Sequence, residues 1–393
     1  MDVQLLLDLA LLIFAAKALG LLCKRIGAPQ VVGEILAGLL VGPSVLKIVG
    51  VNDAIEIFAE IGVIMLMFSA GLGTDIKKLK SSGGRSFLVA LIGVIVPLIG
   101  GFALYGAFYG FAMPPSKEFY TALFMGTILT ATSVSITVAA LQEMGKINSD
   151  VGTTIIGAAV IDDVIGIIVL TCVVGGSGGD GNVGLVLLKI VLFFAATLVI
   201  GFVVHKCMEW LDNRYPHTQR IPIYSLAFCF AMAYIAQKFF GIADITGAYC
   251  AGIVLCTIKD TEYVEKKIDI SSYMLFGPIF FASIGLKTDL SGLTLSILGF
   301  SVCFIIVALL CKVIGCGLAA KICGYDWMDS LRTGAGMMTR GEVALIVAQK
   351  GLAAGVLDSV YFPAVILLII VSSIVTPIVL KSLFAEKGAK KAA

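Results

Sequence analysis

Two adjacent aspartates, Asp162 and Asp163, stand in the middle of the otherwise apolar segment GAAVIDDVIGIIVL. They lie about a dozen residues into a run long enough to cross a membrane, so neither carboxylate can reach the lipid surface. Charged groups at that depth are costly and usually functional. Because neighbours on a helix point about 100° apart, the two carboxylates must face different partners. The alternative is a structural pair bonded to backbone or water.

Lys312, in the segment VALLCKVIGCGL, is a third charge deep in an apolar run. A buried amine keeps its charge only where an acid compensates it, so Asp162 or Asp163 is the expected partner. The alternative is a lysine whose long side chain reaches the membrane surface near Lys321.

A cluster of hydroxyl and β-branched residues, GTILTATSVSITVAAL, predicts a break in a membrane helix at TATSVS (130–135). Lipid tolerates non-helical backbone only where that backbone lines a cavity or is buried in protein. The freed carbonyls and the hydroxyls of this segment would be hard oxygen ligands suited to a small alkali cation. In the alternative, the hydroxyls bond to carbonyls one turn earlier in an intact helix.

The segment GAGMMTRGEVALIVAQ predicts a similar break nearer the C-terminus, with Arg340 and Glu342 two residues apart. We expect these two charges to compensate the helix ends that the break exposes. An ion pair at the membrane surface is the alternative. Glu34, near the start of another apolar run, is either structural or accessory. Lys17 is expected to extend its side chain to the membrane surface.

The composition places these residues in a membrane protein. Of the 393 residues, 59% are hydrophobic and 14% are charged, whereas soluble domains carry about 25% charged residues. The N-terminal segment lacks a basic start and a small-residue cleavage site, so we expect a retained first span. The ten cysteines have no metal-ligand spacing and are expected to be buried thiols.

The fold class indicated is an all-α polytopic membrane protein with about thirteen transmembrane helices. The approximate spans are 4–22, 30–49, 54–73, 86–111, 119–143, 150–175, 183–211, 221–239, 242–258, 268–286, 292–322, 328–350 and 357–384. Nineteen lysines and arginines fall on the side of the C-terminus and five on the other. Because cytoplasmic loops carry the excess of basic residues, we expect an external N-terminus and a cytoplasmic C-terminus in the cell (inner) membrane.

The chain also matches itself at an offset of 214 residues. QVVGEILAGLLVG (30–42) aligns with DITGAYCAGIVLC (244–256), and FSAGLGTDIKKL (68–79) aligns with ASIGLKTDLSGL (282–293). An odd number of predicted helices separates the matching segments, so the two repeats are inverted in the membrane. Inverted repeats are typical of secondary transporters, whose sites lie near the midplane at interrupted helices.

This repeat predicts a division of the chain into three parts. They are a first inverted repeat (1–182), which holds part of the ion-binding bundle, a linker helix (183–211), and a second inverted repeat (212–393) that ends in a short cytoplasmic tail.

Four motifs in this order, LTATSVSITVAAL, GAAVIDDVIGIIVL, LLCKVIGCG and MMTRGEVALIVAQKG, resemble the NapA-type bacterial sodium/proton antiporters. These belong to the second monovalent cation–proton antiporter superfamily. The resemblance covers essentially the whole chain. It implies an NhaA/NapA-like antiporter fold with a dimerisation part and a core part, in which two broken helices cross.

The resemblance also implies roles for individual residues. Asp163 would bind the cation and the proton in turn, and Asp162 would pair with Lys312. Thr132 and Ser133 would border the unwound segment, so that Na⁺ lies at Asp163 with these two residues. Related potassium-efflux antiporters have Gln-Asp at the Asp-Asp position and append a nucleotide-binding domain. A K⁺/H⁺ antiporter of that type is the alternative, and these two differences count against it.

A buried carboxylate can hold a proton or a cation but not both, and this competition can couple their movements. We expect a secondary antiporter that exchanges H⁺ for Na⁺ or Li⁺ by alternating access and is electrogenic. Membrane lipids and a second copy of the chain, in a homodimer, are the expected partners. We expect no cofactor, no nucleic-acid partner and no enzymatic activity.

Three other classes of membrane protein were weighed against the antiporter. An intramembrane aspartyl protease needs two converging carboxyl groups, and adjacent residues diverge. A cation channel or a sodium-coupled solute symporter of related fold is distinguished by its flux: a channel does not saturate at low rates, and a symporter takes up an organic solute with Na⁺.

Overall fold

A computed structural model describes residues 3–26, 28–114, 116–177, 183–287 and 295–385, and the regular elements in these ranges are all helical. The α-helices are α1 (Val3–Arg25), α2 (Gln30–Val41), α3 (Asp53–Leu72), α4 (Ile76–Tyr109), α5 (Lys117–Thr130), α6 (Val134–Glu143), α7 (Asp150–Gly176), α8 (Val183–Arg214), α9 (Arg220–Ile235), α10 (Asp244–Leu255), α11 (Thr261–Ser271), α12 (Gly277–Leu286), α13 (Leu295–Ile322), α14 (Trp327–Gly336), α15 (Glu342–Ala353) and α16 (Phe362–Phe384).

Ten helical stretches within the described ranges are long and apolar enough to cross a membrane. Three shorter apolar helices, which are α2, α10 and most of α15, account for the remaining predicted spans. The predicted all-α polytopic architecture is therefore confirmed.

Polar caps and helix breakers explain where the helix bounds differ from the predicted spans. The carboxylate of Asp75 accepts hydrogen bonds from the backbone N–H groups of the first turn of α4, at 2.9 and 3.3 Å. This cap starts α4 at Ile76, ten residues before the predicted span. α2 ends at Val41 instead of continuing to residue 49, because Gly42 and Pro43 follow it.

The helices form two bundles. In the scaffold bundle, α1 packs on α2, α2 on α12, α3 on α10 and α12, and α9 on α10. In the core bundle, α4 packs on α5, α7 and α13, and α13 packs on α14 and α16. The broken-helix halves α6 and α15 contact α16 and belong to the core bundle. We call the face at which α1 ends, with Lys24 and Arg25, the lysine-rich face.

Glycines allow close approach at two equivalent places in the scaffold bundle. A Cβ atom added to Gly38 of α2 would lie 1.8 Å from the Ala282 carbonyl oxygen of α12. One added to Gly252 of α10 would lie 2.4 Å from the Phe68 carbonyl oxygen of α3. The two glycines, like their two partners, are 214 residues apart, so the repeated segments make the same helix contact twice. Residues 288–293 of the repeat lie outside the described ranges.

Lys17 does not extend to the membrane surface, contrary to the prediction from the sequence. Its Nζ lies 3.1 Å from Glu34 Oε1 and 3.5 Å from the centroid of the Tyr273 ring. The Gln30 side-chain amide donates to the same Glu34 oxygen at 2.9 Å. A nearby acid and an aromatic face hold the ammonium more favourably than a long reach through lipid. Glu34 therefore links α1 to α2 in the scaffold bundle.

Candidate functional site

Both predicted helix breaks are present, and both lie in the core bundle. α5 ends at Thr130 and α6 begins at Val134, with non-helical backbone between them at residues 131–133. α14 ends at Gly336 and α15 begins at Glu342, with non-helical backbone at 338–341. These segments are buried, so their free carbonyl and N–H groups must be satisfied by protein or by a bound ion.

The two breaks cross in direct contact. The Ser133 backbone N–H donates to the Thr339 carbonyl at 2.9 Å. Thr137 Oγ1 donates to the Gly336 carbonyl at 2.8 Å and lies 3.0 Å from Thr339 Oγ1. A Cβ atom added to Gly341 would lie 2.5 Å from Ser133 Oγ, so the approach of the two segments requires a glycine at this position.

Arg340 lies at the crossing and is fully buried. One of its terminal nitrogens donates to the Leu129 carbonyl in the last turn of α5, at 2.6 Å. The other donates to the carbonyls of Met338 and Thr339, at 3.1 and 3.2 Å. A guanidinium at helix carboxyl ends offsets their partial negative charge. Arg340 is thus not in an ion pair at the membrane surface. The side chain of Glu342, predicted to act with it, lies outside the part of the chain that the structure describes.

Two serines that were not predicted from the sequence hold the backbone of Arg340. The Arg340 N–H donates to Ser372 Oγ at 2.9 Å, and Ser373 Oγ donates to the Arg340 carbonyl at 3.1 Å. Both serines lie within the apolar run VILLIIVSSIVTPIVL of α16. Two adjacent hydroxyl residues at the centre of an apolar run could have indicated from the sequence that α16 contacts polar backbone.

The deepest ion pair joins Lys312 of α13 to Asp162 of α7. Lys312 Nζ lies 2.8 Å from Asp162 Oδ1, and the two side chains are 0% and 1% exposed. Gly93 of α4 leaves room for Cys316 beside this pair, since a Cβ atom there would lie 2.5 Å from Cys316 Sγ. Of the two acids predicted as partners of Lys312, the structure places Asp162 in contact. Asp163, the next residue on α7, is also buried.

Thr132 and Ser133 lie inside the unwound segment and are buried. Thr132 Oγ1 is 3.5 Å from the Thr130 carbonyl. The structure thus brings together Ser133 with Thr339, and Asp162 with Lys312. A cation held jointly by Asp163, Thr132 and Ser133 stays a prediction.

A cavity of about 360 Å³ separates the two bundles on the face opposite the lysine-rich face. Glu60, Asp244 and Lys287 line its scaffold wall, and Gln349 of α15 lines its core wall. Its inner part reaches Gly341, which contacts Ser133 at the crossing. The cavity therefore provides an approach from one membrane face to the broken helices, past carboxylates that attract cations.

Comparisons with known proteins relate both the sequence and the fold to transporters. The family model described as "Sodium/hydrogen exchanger, transmembrane" matches residues 10–386. The chain is 38% identical over 389 residues to the Na(+)/H(+)-K(+) antiporter GerN of Bacillus cereus, with 98% of each chain covered. It is 34% identical over 376 residues to a Na(+)/H(+) antiporter of Enterococcus hirae, covering 94% of this chain and 96% of that one.

The fold is shared with a more distant protein. A solved structure of the sodium proton antiporter MjNhaP1 from Methanocaldococcus jannaschii at pH 8 superposes with a TM-score of 0.72 at 17% identity. The match covers 97% of this chain and 100% of the other. The predicted antiporter fold is therefore confirmed.

Proposed function

Because the chain belongs to the sodium/hydrogen exchanger family, we propose that it is a secondary antiporter that exchanges protons for Na⁺ or Li⁺ by alternating access. The observation that carries this proposal is the Asp162–Lys312 ion pair, fully buried beside Asp163 in the core bundle. Burying three ionisable groups is costly, and in membrane proteins such groups mark ion pathways.

In the proposed cycle, Asp163 holds either a proton or a partly dehydrated cation. Thr132 and Ser133 supply further oxygen ligands from the unwound segment. Arg340 offsets the partial negative charge of the carboxyl ends of α5 and α14, so that this charge is already compensated when the cation binds. Because one carboxylate serves both ions, binding of the cation requires release of the proton, and this competition couples the two movements.

We place the lysine-rich face in the cytoplasm, so that the cavity opens to the outside of the inner membrane and the N-terminus is external. A homodimer surrounded by lipid is supported by large apolar side chains on the outer surface. Phe14 of α1 is 75% exposed, and Leu198 of α8 is 74% exposed. Such residues are stabilised by lipid or by a second copy of the chain.

A second candidate function is K⁺/H⁺ exchange. It is favoured by the relative from Bacillus cereus, whose name includes both Na⁺ and K⁺. The two candidates share the site and differ in which cation replaces the proton on Asp163.

Proteoliposomes with an imposed pH difference test the proposed function. Addition of Na⁺, Li⁺ or K⁺ in turn should change the internal pH, which an enclosed dye reports. We expect saturable responses to Na⁺ and Li⁺ and a much weaker response to K⁺. A response to K⁺ alone would favour the second candidate, and no response to any of the three would contradict exchange.

We further predict that exchange moves net charge. Two carboxylates and one lysine give the site more than one titrating group, so a cycle can carry two protons against one Na⁺. The membrane potential then contributes about 2.3 kcal/mol per 100 mV, and an inside-negative potential should drive proton entry and Na⁺ exit. The measurement is the initial exchange rate at potentials clamped with valinomycin and K⁺. A rate indifferent to potential would mean one-for-one exchange.

A further inference from the structure

Two core helices end against the start of the scaffold helix α2. Glu143, the last residue of α6, accepts a hydrogen bond from the backbone N–H of Gln30 at 2.8 Å. Lys381, near the end of α16, donates to the Ala28 carbonyl at 3.4 Å, and its Nζ lies 4.0 Å from Glu143 Oε1. These contacts join the two bundles at the lysine-rich face.

The carboxylate of Glu143 caps the N-terminus of α2, which has no capping side chain in the sequence before it. The residue before α2 is Pro29, which makes no side-chain cap. The Val32 N–H bonds locally to the Pro29 carbonyl at 3.2 Å, whereas the Gln30 N–H, which precedes the first acceptor of the helix, bonds to Glu143. A negative charge at a helix N-terminus is also favoured by the helix dipole. The start of a scaffold helix is therefore stabilised by a residue of the core bundle.

The Glu143–Gln30 contact and the cavity lie at opposite faces of the protein, between the same two bundles. The same two bundles are separated on the cavity face and joined at the lysine-rich face. α6 is a single helix that begins next to Ser133 at the crossing and ends at Glu143, about 15 Å further along. Because one helix joins the crossing to Glu143, a movement of the crossing relative to the scaffold bundle also moves Glu143 relative to Gln30.

We propose that Glu143, supported by Lys381, is a latch that keeps the lysine-rich face closed while the cavity face is open. The inference rests on the proposed exchange function. The side chain of Gln30 continues the contact inward, since it donates to Glu34, the partner of Lys17. The contact of Glu143 is thus continued by a partly buried ion pair that joins α2 to α1.

The test measures the half-saturating Na⁺ concentration separately at each face of the protein in proteoliposomes. Protease cleavage of a C-terminal tag reports the orientation of the inserted protein. Removal of a helix cap changes a conformational equilibrium by about fivefold. If the cavity-open state dominates, Glu143→Ala raises the population of the other state by this factor. The half-saturating Na⁺ concentration at the lysine-rich face should then fall about fivefold, and that at the cavity face should change less than twofold.

The matched control is Glu262→Ala. Glu262 pairs with Lys266 at 2.6 Å and is exposed, but both residues lie within α11 of the scaffold bundle. This variant should keep wild-type affinities at both faces. An equal fall in Glu262→Ala, or unchanged affinities in a folded Glu143→Ala protein, would overturn the latch. Absence of exchange in the wild type would instead contradict the proposed function.

Two milder variants keep the proposal testable if Glu143→Ala does not fold. Glu143→Gln retains an oxygen that can accept from Gln30 but loses the charge, and Lys381→Met removes the supporting contact. Both should lower the half-saturating Na⁺ concentration at the lysine-rich face, by less than fivefold. Hydrogen exchange in the first turn of α2 should quicken in parallel. Wild-type affinities in both variants would overturn the latch.

Discussion

An Asp163→Asn variant is expected to lose cation–proton exchange completely while remaining folded. Asparagine has nearly the size of aspartate, but its amide cannot take up a proton near neutral pH and cannot neutralise a cation. The substitution leaves both charged groups of the neighbouring Asp162–Lys312 pair in place, so this contact at 2.8 Å should remain intact. Since the substitution removes a charge from a buried position, we expect stability to be preserved or raised.

The measurement is Na⁺-dependent change of internal pH in proteoliposomes, together with the melting temperature of the purified variant. Asp8→Asn is the matched control. Asp8 is as buried as Asp163, at 7% exposure for each, but it lies on α1 of the scaffold bundle and bonds to Gln4 at 3.1 Å. This control should exchange at the wild-type rate. Normal exchange by a folded Asp163→Asn protein would exclude Asp163 as the carrier of both ions.

The membrane helices could be predicted from the sequence because hydrocarbon thickness fixes the length of an apolar run. Their ends were less predictable where polar residues continue a helix beyond the apolar run. α4 shows this well, since its first turns contain Lys77, Lys78, Lys80 and Arg85 and would not enter hydrocarbon. The Asp75 cap determines where α4 begins, and a prediction based on the length of apolar runs does not detect such a cap.

Each helix break could be predicted from its own residues, but the contact between the breaks could not. Hydroxyls, glycines and charges in an apolar run indicate interrupted backbone. The hydrogen bond from Ser133 to Thr339 joins residues 206 positions apart, whereas the visible sequence repeat has an offset of 214. The register of the crossing is therefore set by packing, including the close approach of Gly341 to Ser133.

The partner of a single lysine could be predicted only where few acidic residues lay at the same depth in the membrane. Lys312 had two adjacent acids as candidate partners at matching depth, and it pairs with one of them. Lys17 had Glu34 as a partner on the next helix, seventeen residues away, but its position near one end of a span favoured the membrane surface. Proximity between the first two helices decided the outcome, and it depends on glycine contacts such as that of Gly33 with Leu19 and Gly20.

Asp162→Asn and Lys312→Met are each expected to destabilise the protein strongly, while the double variant recovers part of that loss. Breaking one partner of a buried pair leaves an uncompensated charge and costs about 3–5 kcal/mol. Both side chains are shielded from water, at 1% and 0% exposure, so no solvent can take the place of the missing partner. Removing both charges leaves two neutral groups of similar size, which a buried site tolerates better.

The measurement is a double-mutant cycle on thermal unfolding in detergent, with the wild type, both single variants and the double variant. The matched cycle uses the Lys17–Glu34 pair, whose side chains are 22% and 6% exposed. Because water and the Tyr273 ring can partly replace the lost partner there, its coupling should be smaller. A coupling energy near zero for Asp162 with Lys312 would mean that the two charges are stabilised independently, and the contact would then not explain why the core bundle retains Lys312.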